Sequence, residues 1–139
     1  MICEIGENES REFLREQNIG RLGCCDDKAP YVIPINYYFD GESIYMHSLP
    51  GRKINIMRAY PQVCLQTDKI EDAYNWRSVI VFGAYEEILD LTRREQIMSA
   101  LFKRFPHLTP VESKAKTSSS EIIIFRIRIE RISGVAERW

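Results

Sequence analysis

Along its 139 residues the chain shows two kinds of hydrophobic period, and the period of two dominates. From Glu121 to Ile132 the alternation is strict: Ile123, Phe125, Ile127 and Ile129 fall on one face, and Arg126, Arg128 and Glu130 on the other. A strand with one face on a core is expected there. Shorter β-type runs cover Ile19 to Cys25, Tyr31 to Phe39, Ser43 to His47 and Gln62 to Asp68, with Asp40-Gly41 as a hairpin signal. After an acidic turn at Glu71 and Asp72 comes a long run, Trp76 to Ile88. Its Gly83 suggests a bulge or barrel corner and leaves room for two fused strands.

The helical period of 3.6 appears in three places. Ser10 is the expected N-cap of a short helix through about Gln17, with Phe13 and Leu14 as its buried stripe. Lys53 to Tyr60 carries Ile54, Ile56 and Met57 and stops at Pro61. Thr92-Arg93-Arg94-Glu95 has the form of a capping box, and Ile97, Met98, Leu101, Phe102 and Phe105 recur at helical spacing before Pro106. Leu108 to Ser120 reads as a polar loop. About six strands and three helices without regular β-α-β alternation favour a mainly β protein with flanking α, built as an antiparallel barrel, over a doubly wound parallel sheet. G-x-G-x-x-G and P-loop patterns are absent from the sequence.

The length suits one domain, residues 1–139, with a single core. A hydrophobic content of 45%, a charged content of 28% and a net charge of -1 give no electrostatic case for nucleic acid. No run reaches a membrane span, and Glu4, Glu7 and Glu9 occupy the place of a secretory apolar core, so a cytoplasmic location is expected. Cys3, Cys24, Cys25 and Cys64 contain no C-x-x-C pair and read as free thiols, without a metal site.

Three segments carry candidate chemistry. In Ile44-Tyr45-Met46-His47-Ser48-Leu49-Pro50-Gly51-Arg52-Lys53 a strand stops at a Pro-Gly corner and restarts as a helix with two cations in its first turn. Unpartnered amides and the helix dipole favour an anion at such a corner, Gly51 admits close approach, and Ser48, Arg52 and Lys53 add donors and charge. Arg52 and Lys53 read equally well as solvated surface cations. In Val32-Ile33-Pro34-Ile35-Asn36-Tyr37, Pro34 removes a ladder donor and marks an edge, whether to free backbone for a ligand or to block aggregation. In Asn75-Trp76-Arg77-Ser78-Val79, Trp76 and Ser78 share a face that suits a flat aromatic ligand or a packing contact, and Arg77 takes the other.

With Gly20 to Gly23 (Gly-Arg-Leu-Gly) and the run Asn75 to Gly83, these segments resemble, in order and spacing, the flavin-nucleotide-binding split barrels related to pyridoxamine 5'-phosphate oxidase. The resemblance runs from about Gly20 to Glu87 and is strongest to the branch of 5-nitroimidazole resistance proteins. It implies a six-stranded antiparallel split β-barrel of FMN-binding type, a homodimer with the flavin at the interface, and an oxidoreductase acting on a small molecule, nitroaromatics included. By the same resemblance His47, Ser48, Gly51, Arg52 and Lys53 hold the FMN phosphate. Val32, Pro34, Ile35 and Asn36 run beside the ring, and Gln66, Trp76, Arg77 and Ser78 complete the pocket, partly from the second subunit. His47 is the candidate hydrogen-bonding or proton-donating group near the cofactor, with a structural role as the alternative, whereas His107 reads as a surface residue. The C-terminal basic motif of true pyridoxamine 5'-phosphate oxidases is missing from Ala136-Glu137-Arg138-Trp139, which argues against vitamin B6 oxidation, and Trp139 can cover a ring or pack in a dimer. The alternative functions are flavin storage and a haem-binding split barrel.

Overall fold

Eight strands and three helices are present in the computed structural model, which describes residues 1–105 and 122–139. The strands are β1 (Ile2–Ile5), β2 (Ile19–Cys25), β3 (Pro30–Asn36), β4 (Tyr38–Phe39), β5 (Ser43–Ser48), β6 (Gln62–Asp72), β7 (Asn75–Glu87) and β8 (Ile123–Glu137). The helices are α1 (Glu7–Glu16), α2 (Arg52–Ala59) and α3 (Leu91–Arg104). The predicted polar loop from Leu108 to Ser120, with His107, lies outside the described residues.

All pairings are antiparallel, in the order β3-β2-β6-β7-β8-β5-β4, with β1 added to β8. The sheet curls around one apolar cluster to which β2, β5, β6, β7 and β8 all contribute, through Leu22, Met46, Leu65, Val81 and Phe125 among others. This is the split β-barrel, mainly β with flanking helices. A second cluster, with Tyr45, Ile97, Leu101 and Ile124, lies beneath α3. The alternation in β8 explains the division: Phe125 and Ile127 enter the barrel, while Ile124 turns to α3.

The strand count is eight rather than six for two physical reasons. Ile2–Ile5 is largely exposed, so burial leaves no alternating pattern there; its pairing with the end of β8 makes it a strand. The run from Tyr31 to Phe39 divides at Tyr37, whose hydroxyl donates to the Leu14 carbonyl at 2.5 Å in the last turn of α1. The long run at β7 is one continuous strand, and Glu71-Asp72 belongs to β6 instead of forming the turn.

Gly83 does mark a bulge, since the β7–β8 register shifts between Phe82 and Gly83. A Cβ at Gly83 would sit 2.2 Å from the Arg128 carbonyl oxygen, so the strands pass too closely there for any side chain. Both expected helix caps are displaced. Gly6 caps α1, and Ser10 is buried inside the helix, where its hydroxyl faces Gly134 of β8. Asp90, not Thr92, caps α3 by accepting the Arg93 amide at 2.9 Å.

Candidate functional site

The Pro-Gly corner joins the end of β5 to the start of α2. Ser48 pairs with Ile123 of β8, and Leu49, Pro50 and Gly51 turn the chain into the helix. Among the described residues no side chain caps α2, and its first turn contains no acid. Its free amides and dipole therefore present an uncompensated positive end. Gly51 has extended backbone angles, and an added Cβ would meet nothing within 4 Å, so neither conformation nor packing demands a glycine. The space above it is open.

Each cation at this corner is held differently. The Arg52 guanidinium stacks 5.0 Å from the centroid of Tyr31 on β3, tying the corner to the edge strand. Lys53 is half-buried beside Cys24, and desolvation lowers its pKa, with the Cys24 charge opposing that shift. Burial pushes the Cys24 thiol up, and so do Cys25, Cys64 and Asp26, while Lys53 pulls it down. Asp26 lies within electrostatic reach of Arg52; its carboxylate accepts the Lys28 and Ala29 amides at 2.8 Å, and these bonds hold its pKa below the usual range. The Ser48 hydroxyl donates to the Leu49 carbonyl at 2.7 Å and is buried.

β3 is the edge that Pro34 implies. Val32 and Pro34 lie on its exposed face, whereas Ile35 packs inward against the barrel core and Asn36 pairs with Ile19. On that outer face Pro34 aligns with Arg21 of β2, and Arg21 with Gln66 of β6. Arg21 donates to Gln66 Oε1 at 3.1 Å and to Asp68 Oδ2 at 2.8 Å. Gln66 Nε2 donates to Asp68 at 2.8 Å and to the Ser78 hydroxyl at 3.0 Å. Arg21 and Asp68 are thus part of the constellation, although neither stands out in the sequence. Their partnership needs the β2–β6 register, which no local pattern carries. One row along, Val32, Gly23, Cys64 and Phe82 floor an apolar hollow of about 340 Å³.

The remaining predicted residues lie elsewhere in the protomer. His47 points to the α3 side of β5, with its ring 5.6 Å from Phe102, on the face opposite Ser48. Arg77 turns beneath α1 and stacks 4.7 Å from the Phe13 ring centroid. The indole N–H of Trp76 donates to Glu137 at 2.9 Å, at the far end of β8 from the Ile123 pairing that carries the corner. Within one chain the fold gathers Ser48, Gly51, Arg52 and Lys53 at one place and Gln66 and Ser78 at another, and keeps Trp76 and Arg77 away from the corner.

An antiparallel sheet of this order, curled around one apolar core with helices at its flanks, is a split β-barrel. The family model described as pyridoxamine 5'-phosphate oxidase matches residues 6–136, and the chain belongs to that family. An uncharacterized protein of Rhizobium meliloti is 33% identical over 95% of this chain and 93% of its own. The crystal structure of a FAD-binding protein from Mesorhizobium loti is 30% identical, covers 99% of both chains and superposes with a TM-score of 0.83. A putative 5-nitroimidazole antibiotic resistance protein from Bacteroides thetaiotaomicron shares the fold at a TM-score of 0.78, with 15% identity over 98% of this chain and 87% of that one.

Proposed function

We propose that this protein binds a flavin as FMN, with the phosphate at the start of α2, and acts as a flavin oxidoreductase on a small molecule, nitroaromatics included. The observation that carries the reading is the uncapped, acid-free N-terminus of α2, with Arg52 and Lys53 on its first turn and open space over Gly51. A phosphate monoester asks for this combination of amides and cations. The FAD-binding relative from Mesorhizobium loti supports a flavin ligand over the haem alternative. When bound, the flavin supplies the electron transfer, so no acid–base dyad is required of the protein.

The residues fit the group in a divided way. The corner binds the phosphate, and burial around Lys53 strengthens its pull on an anion by excluding water. The exposed face of β3, at Val32 and Pro34, and the aimed amide of Gln66 offer a flat wall and a hydrogen-bonding edge for the ring. In this reading the protein is a homodimer, and Trp76 reaches the flavin from the second copy, because in its own protomer it stands at the opposite end of β8. His47 supports the corner through its packing on Phe102.

Reconstitution with FMN followed by anaerobic addition of NADH or NADPH tests the proposal. The expected result is stoichiometric yellow protein whose visible absorbance bleaches with one of the donors. Retained colour without bleaching would reassign the protein to flavin storage, a Soret band to haem binding, and a colourless protein that refuses FMN would sink the reading.

A further inference from the structure

Between α3 and the β4–β5 hairpin lies a small cleft of about 170 Å³, lined by Tyr38, Asp40 and Tyr45 from the hairpin side and by Arg93, Ile97 and Ala100 from the helix. The three helix residues recur at helical spacing and so form one stripe facing the hairpin. Tyr38 and Tyr45 pair directly across the ladder, and their rings stack with centroids 6.3 Å apart. With Ile97 and Ala100 they give the cleft apolar walls. None of these residues belongs to the phosphate corner or to the wall assigned to the flavin ring.

One cation and one anion face this cleft without pairing. Arg93 Nη2 donates to the hydroxyl of the buried Tyr45 at 2.6 Å, yet Arg93 makes no ion pair among the described residues. Asp40 makes none either: its Oδ1 accepts the Glu42 and Ser43 amides at 2.8 Å, which leaves Oδ2 for another donor. The neighbouring cations are already engaged. Arg126, opposite Tyr45 in the β5–β8 ladder, meets Glu86 at 3.5 Å, and Arg104, beside Tyr38, donates to the Arg15 and Gln17 carbonyls at 3.0 Å.

Opposite charges that share a small cleft and do not reach each other suit a ligand that carries both. While the Tyr45 oxygen accepts from Arg93, the hydroxyl keeps its own proton to donate, and a guanidinium beside an O–H donor takes a carboxylate. Asp40 Oδ2 takes an ammonium. The volume is below that of ordinary cofactor pockets, so the ligand is small.

We propose that this cleft binds a free α-amino acid with an apolar side chain. Arg93 and Tyr45 hold its carboxylate, Asp40 holds its ammonium, and the side chain lies against Tyr38, Ile97 and Ala100.

Calorimetric titration of the full chain with L-leucine is expected to give saturable binding with a Kd below about 1 mM, modest because Arg93 and Asp40 are exposed. Isocaproate is leucine without the ammonium, and isoamylamine is leucine without the carboxylate. Each should bind about tenfold more weakly or worse, the loss of one charge-assisted contact. Asp40→Asn keeps an Oδ1 for the two turn amides; it should weaken leucine by a similar factor and leave isocaproate unchanged. Arg93→Gln should weaken leucine and isocaproate and leave isoamylamine unchanged. Circular dichroism controls for fold, and the three ligands compared on the native protein decide the matter even where a variant misfolds. Equal affinity for all three would mean solvated charges beside an apolar hollow and would overturn the proposal. So would leucine binding that survives both substitutions, or the absence of saturable binding of leucine, valine or methionine up to about 10 mM. No arm depends on bound flavin.

Discussion

Gln66 donates to the Ser78 hydroxyl at 3.0 Å, reaching diagonally across the β6–β7 ladder while its other amide atom accepts from Arg21. The carboxamide is thereby held in one orientation on the open face of the sheet. If that face carries the flavin ring, Gln66→Ala removes an aimed group without opening a core. FMN affinity should fall about threefold to tenfold, the range of a single hydrogen bond, with little change in melting temperature. Flavin fluorescence quenching on titration checks this, and unchanged affinity would place the ring elsewhere.

Replacing both Arg52 and Lys53 by Ala should release FMN and leave the barrel folded. Each charge-assisted contact to phosphate is worth about 1.5–3 kcal/mol, so the pair should cost at least about a hundredfold in affinity. Arg52 is exposed and Lys53 is half-buried, so neither truncation removes a large core contact. Equilibrium dialysis against FMN, with circular dichroism as the control for fold, separates the two effects. His47→Ala, by contrast, should weaken retention modestly through lost packing on Phe102 and leave the bleaching rate of bound flavin intact.

Gly83→Ala should be strongly destabilising. The new methyl would lie 2.2 Å from the Arg128 carbonyl oxygen and 2.7 Å from Ile127, and β7 and β8 would have to separate at the bulge. Overpacking of backbone against backbone predicts a loss of about 3 kcal/mol in urea unfolding. Gly51→Ala, with open space at its Cβ, should leave stability nearly unchanged and is the matched control.

Acid should weaken the fold through Glu87. The Arg58 side chain and the Tyr85 hydroxyl, the latter at 2.7 Å, both donate to its carboxylate and hold its pKa below the ordinary value of 4.5. A carboxyl with a lowered folded pKa stabilises above its unfolded value and loses that contribution as pH falls through the folded one. Glu87→Gln should therefore be less stable than the native protein at pH 7, and the difference should shrink below pH ~4. Denaturant midpoints at the two pH values measure it.

Local pattern reaches some of this architecture and stops at identifiable places. β2 has its predicted bounds, and the inward Phe125 and Ile127 of β8 follow the alternation, because burial of one face imposes a period of two. Gly83 was legible because a glycine in a strand run has few other uses. The turn from β5 into α2 at Ser48 to Lys53 was legible because its parts are consecutive. Arg21 and Asp68 were not, since 47 positions separate them and only pairing of β2 with β6 brings them together. The caps at Gly6 and Asp90 were missed because Ser10 and Thr92 are equally good local candidates, and tertiary packing of Ser10 against Gly134 decides the first.

β8 joins β7, β5 and β1, so the strands that frame the barrel share a partner more than thirty positions beyond β7. During synthesis β5 and β7 emerge well before the segment that connects them, and the hairpin of β6 with β7 can form while the seam is still open. Closure is then a late, long-range event. Because Ser48 is fixed by Ile123, the corner between β5 and α2 is assembled only at that step, and a chain still on its way out of the ribosome has not yet finished it.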